Sequence, residues 1–362
     1  MKMAYLAAGN AVHTVRWVNA LAQRGYTIFL ITMHEGNEPL HEKVQVFKLP
    51  LASPWGYFLN APFLKKLLMT LQPDLLHIHY ATGYGALGRL CGFKPLILSV
   101  LGTDVFDFPN KSFLHRRWLV KNLRAATQIC STSQVMTVVT QQLCDDKPIA
   151  LTPFGIDTTL FCPRPDLHDN TVFKIGTVKN LALQCGIDTL IKAFYNLQNQ
   201  LADDQPQLAQ QLRLCIAGEG PQRAELQALV AKLGLSAVTE FAGYVPHVEV
   251  PAYLNQMAIY VAASRLESFG VAILEASACG LPVVVSRVGG LPEVVEEGVT
   301  GLLAEKDNVE QFATALLKLV QNQTLRENMG QAGRQMVIEK YNWQDSVSIL
   351  EAVYRKYNGF GE

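Results

Sequence analysis

The chain has 362 residues, 49% hydrophobic and 17% charged, more than one hydrophobic core ordinarily serves, so two domains are expected. That composition excludes a disordered or collagen-like chain, and 7 scattered cysteines without a C-x-x-C pair exclude a disulfide-stapled miniprotein or a zinc knuckle. The 31 basic and 31 acidic residues cancel, which argues against a nucleic-acid partner, yet residues 1–165 carry a net +7 and residues 166–362 a net −7.

The opening Met-Lys-Met-Ala-Tyr-Leu-Ala-Ala is too short for a signal-peptide core. It leads instead into a strand (3–7), a Gly9-Asn10 loop and a helix (12–24). Further apolar runs at 27–32, 75–79, 96–100 and 128–131 predict the remaining strands of the first half. Within it, 111–124 predicts a helix in which Lys111, Arg116, Arg117, Lys121 and Arg124 interleave with Phe113, Leu114, Trp118, Leu119 and Leu123. Such a helix either lies on an anionic membrane surface, with Lys65 and Lys66 adding to it, or packs its apolar stripe on the sheet. Two prolines and several polar residues at 162–170 predict an interdomain linker.

The second half repeats the alternation, with strands at 173–177, 212–217, 238–241, 259–262, 282–286 and 301–303. Helices are predicted at 186–201, 222–233, 270–279, 291–296 and 309–321, and a last one from 343 to 357. Short apolar runs alternating with helices predict parallel sheets built from βαβ units. The expected fold is therefore α/β: two Rossmann-like doubly wound domains facing a cleft, 1–165 and 166–342, with 343–362 as a C-terminal helix for which a return to the first domain is one of the arrangements that periodicity leaves open. No run approaches the roughly 18 apolar residues of a membrane span. With reduced thiols, the expected location is the cytoplasm, at most touching the inner face of a membrane.

The chemistry concentrates between Ser264 and Leu303. A strand leads into a loop holding Glu267, and a helix opens near Gly270, so the amides of Ser268, Phe269, Gly270 and Val271 form a natural cradle for phosphate. Glu275 follows one to two turns in, roughly 6–8 Å from that end at about 1.5 Å per residue, near a ribose's distance. In an apolar helix its carboxylate needs a hydrogen-bonded partner, which a ligand diol would supply; the alternative is that it caps a neighbouring backbone or faces water. The Gly289-Gly290 loop that follows reads as a second phosphate loop or as a plain tight turn.

Glu267 and Glu275 with seven residues between, followed by Ala-Cys-Gly-Leu-Pro-Val-Val-Val-Ser-Arg-Val-Gly-Gly-Leu-Pro-Glu-Val-Val, resemble the signature of the family-4 (group 1) glycosyltransferases. Blocks at Pro153-Phe-Gly-Ile-Asp, Ile175-Gly-Thr-Val-Lys, Ala217-Gly-Glu-Gly-Pro and Phe241-Ala-Gly-Tyr-Val-Pro-His resemble the family in order, as do the opening loop and Gly102-Thr-Asp. The resemblance implies a GT-B fold and a retaining, metal-independent hexosyltransferase. It implies a nucleotide-diphosphate sugar as co-substrate, no cofactor, and a glycan or lipid-linked acceptor, such as a cell-envelope precursor. It further implies that Glu267 contacts the donor sugar, that Glu275 holds the ribose hydroxyls, and that Gly9 and Asn10 approach the donor from the first domain.

Two departures stand out. The family's Arg after Gly176 is replaced by Thr177, and its Lys before Gly186 by Gln184-Cys185, which leaves Lys179 as the proposed cation on the diphosphate. Where the family often has a histidine near the donor sugar, the chain reads Ser99-Val-Leu-Gly-Thr-Asp, so Asp104 is the catalytic candidate, or else caps its own turn. His13, His77 and His79 are weaker candidates. The same residues leave open a nucleotide-sugar 2-epimerase and, given the missing clamp, a non-catalytic GT-B partner subunit.

Overall fold

The computed structural model describes residues 1–357 apart from 35, 37, 168 and 170, and the last five residues of the predicted segment 343–362 lie outside it. The chain divides into two compact units, Met1–Pro153 with the chain from Gln344 onward, and Phe154–Trp343.

In the first unit, β1 (Lys2–Leu6), β2 (Thr27–Thr32), β3 (Val44–Lys48), β4 (Leu75–His79), β5 (Leu96–Val100), β6 (Gln128–Ser131) and β7 (Ile149–Leu151) form one sheet in the order β3-β2-β1-β4-β5-β6-β7. Every pair is parallel. In the second, β8 (Phe173–Val178), β9 (Leu212–Ala217), β10 (Thr239–Gly243), β11 (Ile259–Ala262), β12 (Val283–Ser286) and β13 (Gly301–Ala304) run β10-β9-β8-β11-β12-β13, again parallel throughout.

Both orders reverse direction once, between β1 and β4 and between β8 and β11. In open α/β sheets such a switch point leaves a crevice outside the carboxyl ends of the strands, because the crossovers leave it in opposite directions. The central strands are buried on both faces, as their β-branched and leucine runs require. Helices cover both sheets: Leu119 and Leu123 of helix Phe113–Ala125 are fully buried in the first core, Phe194 and Leu197 of helix Ile187–Asp204 in the second.

The edge strands β3 and β7 are absent from the sequence expectation. Their residues are exposed or half-buried, so they lack the continuous apolar run that marks a central strand.

The linker expectation is also corrected. The two-proline segment belongs to the second unit: Asn255 accepts from the Arg164 amide at 2.6 Å and donates to the Cys162 carbonyl at 2.9 Å, beside a fully buried Phe161. The division falls instead at Pro153 and Phe154. Helix Trp343–Arg355 packs within the first unit. The Tyr354 hydroxyl hydrogen-bonds His77 Nδ1 at 2.6 Å, Arg24 pairs with Glu351, and the Tyr357 hydroxyl donates to Gln128 at 3.0 Å.

Candidate functional site

In the second unit the candidate side chains Lys179 and Glu267 meet at the switch point. β8 leads directly into Lys179 and β11 runs on into the loop Ser264–Gly270, so the crevice between these neighbouring strands is lined from both sides. Lys179 Nζ donates to Ser264 Oγ at 2.9 Å and to Glu267 Oε2 at 2.5 Å, bridging the two strand ends. Burial acts to lower the pKa of this ammonium, but the Glu267 carboxylate outweighs it and holds the group above the usual lysine range. Lys179 is thus neither an exposed loop lysine nor an isolated cation. Its charge is shared with Glu267.

The Glu267 loop is held by backbone contacts. The Gly290 amide donates to the Glu267 carbonyl at 3.1 Å, and Gly289 sits at φ +50° with its α-carbon so close that a β-carbon would stand 1.8 Å from that same oxygen. The two glycines therefore permit a close backbone approach. They serve the loop's geometry, the plainer of the two readings, since the helix after them, Leu291–Val294, has only 4 residues. On the other side, the Gln184 carbonyl accepts from the Arg265 amide at 2.7 Å, and the Arg265 side chain is held by Asp188 and Asp307.

Gly270, at φ +109°, is the N-cap of helix Val271–Ala278. The first amides of that helix lack intrahelical partners and face the loop end, where the helix dipole is positive. Phe269 does not join the cradle with its side chain: it is buried, stacked among Phe154 and Tyr341. Glu275 is buried, and its Oε1 lies 3.1 Å from His247 Nε2. His247 is a neighbour of Glu275 that the sequence does not single out. It closes the Phe241–His247 stretch that begins within β10, and its packing on Phe161, 5.4 Å between ring centroids, sets the imidazole's tilt.

The departures from the family pattern look different in three dimensions. Thr177 is fully buried inside β8, so its side chain packs within the unit instead of reaching the strand end. Gln184 is exposed, and its contribution is the carbonyl that supports the Glu267 loop.

In the first unit, Gly9 and Asn10 follow β1 at the other switch point. The Gly9 amide is taken by Thr32 Oγ1 at 2.9 Å and the His34 carbonyl at 3.1 Å, which leaves the exposed Asn10 as the reachable member of the loop. Asp104 requires correction. It is buried, and its carboxylate accepts from the amides of Ala81 at 2.9 Å, Gly102 at 2.9 Å and Leu101 at 3.1 Å. Burial raises its pKa while those amides pull it down, with a net rise. Asp104 clamps its own loop and is not the free catalytic carboxylate expected.

His77 and His79 are interior residues. Beyond Tyr354, His77 Nε2 meets Ser99 Oγ at 2.8 Å, and His79 Nε2 meets the Tyr5 hydroxyl at 2.7 Å. Among the described residues no cluster of three or more His, Cys, Asp or Glu could hold a metal, and no helix is long and apolar enough to cross a membrane.

Comparison with known proteins bears on the family and the fold. The family model described as glycosyl transferases group 1 matches residues 163–336, and the one described as glycosyl transferase 4-like matches residues 2–133. The chain is 26% identical over 359 residues to an uncharacterized glycosyltransferase of Methanocaldococcus jannaschii, covering 96% of this chain and 94% of that one. It is 32% identical over 321 residues to the D-inositol 3-phosphate glycosyltransferase of Corynebacterium jeikeium, covering 78% of this chain and 72% of the relative. HepE of Anabaena, solved in complex with UDP and glucose, superimposes with a TM-score of 0.81 at 18% identity, over 98% of this chain and 100% of that one. The chain belongs to the group 1 glycosyltransferases and has their two-unit parallel-sheet GT-B fold.

Proposed function

We propose that the protein transfers a hexose from a nucleotide-diphosphate sugar to an acceptor hydroxyl, with retention at the anomeric carbon and without a metal ion. The observation that carries this reading is the pairing at one switch point of Lys179–Glu267 with Glu275–His247, at the open end of helix Val271–Ala278. Fixed amides and a helix end aimed at a departing diphosphate stabilise its charge without rearranging during the reaction. Lys179 supplies cationic charge from within its pair. Glu267 stands where the sugar's reacting carbon arrives, and Glu275 accepts hydrogen bonds from the ribose diol while His247 fixes its other side. The acceptor hydroxyl attacks from the face the diphosphate leaves, and its proton passes to the leaving phosphate, so no strong protein base is required.

A relative that glycosylates an inositol phosphate supports a hydroxylated acceptor, and the neighbour solved with UDP and glucose supports a nucleotide-sugar donor. The acceptor class we favour is a lipid-linked or envelope glycan precursor. UDP, GDP, ADP and CMP, each at about 100 times the dissociation constant, test the donor site: the matching nucleotide is expected to stabilise the protein by about 2.7 kcal/mol. Glu275→Ala is expected to abolish that shift. Absence of any shift would move the reading to a non-catalytic subunit.

Helix Phe113–Ala125 divides its apolar residues between two tasks. Leu119 and Leu123 pack in the core, whereas Phe113 and Leu114 are 74% and 72% exposed beside the exposed Arg116 and Arg117. We assign this end to contact with anionic lipid, within the predicted segment from Lys111 to Arg124; Arg124 itself faces Asp146. Flotation with phosphatidylglycerol vesicles is expected to carry the protein, and phosphatidylcholine vesicles to leave it behind. Equal flotation with both would refute the assignment.

A further inference from the structure

We infer that the first unit carries an acceptor site of two joined compartments, whose ligand is an amphiphile with a neutral, sugar-like head and a hydrocarbon chain. The inference rests on the transferase reading and adds to it the acceptor's chemical class and seat. The first compartment is a cavity of about 450 Å³ at the carboxyl ends of β4 and β5, lined by Tyr80, Thr82, Thr103, Asp104, Asp107 and Lys111, with Phe108 as one wall. Three hydroxyls, two carboxylates and one ammonium offer donors and acceptors together with an excess of negative charge, the pattern a neutral polyol satisfies and a lone phosphate does not.

The cavity is rigidly built. Tyr80 occupies the left-handed region at φ +76°, a strained position for a residue with a side chain. It is held there by its amide on the Ser99 carbonyl at 3.0 Å and by the Gly85 amide on its own carbonyl at 3.0 Å. Its hydroxyl lies 3.3 Å from Thr103 Oγ1. Asp104, with its three amide partners, fixes the floor between these residues.

Phe108 also walls the second compartment, a cleft of about 270 Å³ shared with Phe58, Leu114, His115 and Trp118. Trp118 meets Phe58 edge-on at 5.3 Å, and the Arg89 guanidinium lies over it at 5.1 Å, so the aromatic wall is held in place. A polar cavity and an apolar cleft with a common wall suit one ligand polar at one end and apolar at the other. Leu114 and its neighbour Phe113 continue the apolar path outward to the basic end of the same helix. Each methylene buried in such a cleft tightens binding about fourfold.

Calorimetric titration with n-octyl β-D-glucopyranoside below its micellar concentration tests the site, with methyl β-D-glucopyranoside as the tail-less probe and 1-octanol as the headless one. The octyl glucoside is expected to bind at least tenfold more tightly than either. Leu114→Asp, at an exposed rim position, is expected to erase the advantage over the methyl glucoside, and Asp107→Ala the advantage over octanol. Both variants are expected to keep the nucleotide-induced thermal shift. Equal binding of octyl and methyl glucosides, equal binding of octanol, or an unchanged advantage in Leu114→Asp would each overturn the inference. Loss of the nucleotide shift in the unaltered protein, with octyl preference intact, would refute the donor reading and leave this site standing.

Discussion

Lys179→Met is expected to lower kcat/KM for sugar transfer by about 10²–10³-fold, the usual loss when one fixed electrostatic partner of a transition state is removed. The side chain binds Ser264 and Glu267 across the switch point, so its removal takes a cation from the diphosphate end and leaves the Glu267 carboxylate partly buried without its counter-charge. Steady-state kinetics with the donor identified by thermal shift would measure the loss, and the melting temperature would report whether the variant folds. Because the two residues act as a unit, Lys179→Met with Glu267→Gln is expected to be little worse than either alone. Activity of Lys179→Met within fivefold of the unaltered protein would remove Lys179 from the site.

Acidification is expected to destabilise the first unit through its two interior histidines. Burial, and behind it the charge of His13, pushes the His79 pKa down to about 3, while burial and the neighbouring His79 hold His77 well below its ordinary range. In the unfolded chain both take up protons near pH 6.5. Stability is thus unaffected above that pH and falls as the pH drops from 6.5 toward 3, because only the unfolded state binds the protons. At pH 5 the His79 contribution alone amounts to about 2 kcal/mol, at about 1.4 kcal/mol per pH unit, and His77 adds in the same direction. For a unit of this size that lowers the melting temperature by roughly 4–8 °C. Calorimetry at pH 7 and pH 5 would measure it, and His77→Gln with His79→Gln is expected to flatten the dependence. Parallel pH dependences in the two proteins would refute the assignment.

What the sequence made legible follows burial. β1, β2, β4, β5 and β6 are visible because both faces are covered, so each reads as an apolar run; β3 and β7, half-exposed at the sheet's margins, carry no such mark. Glu267 and Glu275 are legible because the chain between them makes one loop and one helix. His247 is not, since 28 positions separate it from Glu275 and only the fold sets the two 3.1 Å apart. The pair of prolines near Arg164 reads in sequence as a break in structure, but Asn255, far along the chain, anchors the segment. Asp104 misled for a related reason: a carboxylate at a strand end looks the same in sequence whether it faces a ligand or its own loop amides.

The helix Trp343–Arg355 has a consequence for how the protein is made. Residues 154–343 form an unbroken stretch that contains its whole unit, whereas the first unit needs Tyr354 to complete the buried network around Tyr5 and His77. At about 5–20 residues per second, a ribosome that has finished Pro153 needs roughly 10–40 s more to reach Tyr354. During that interval the half made first stays open over the interior strands β1, β4 and β6 that its last helix will cover, and the half made second can close before it.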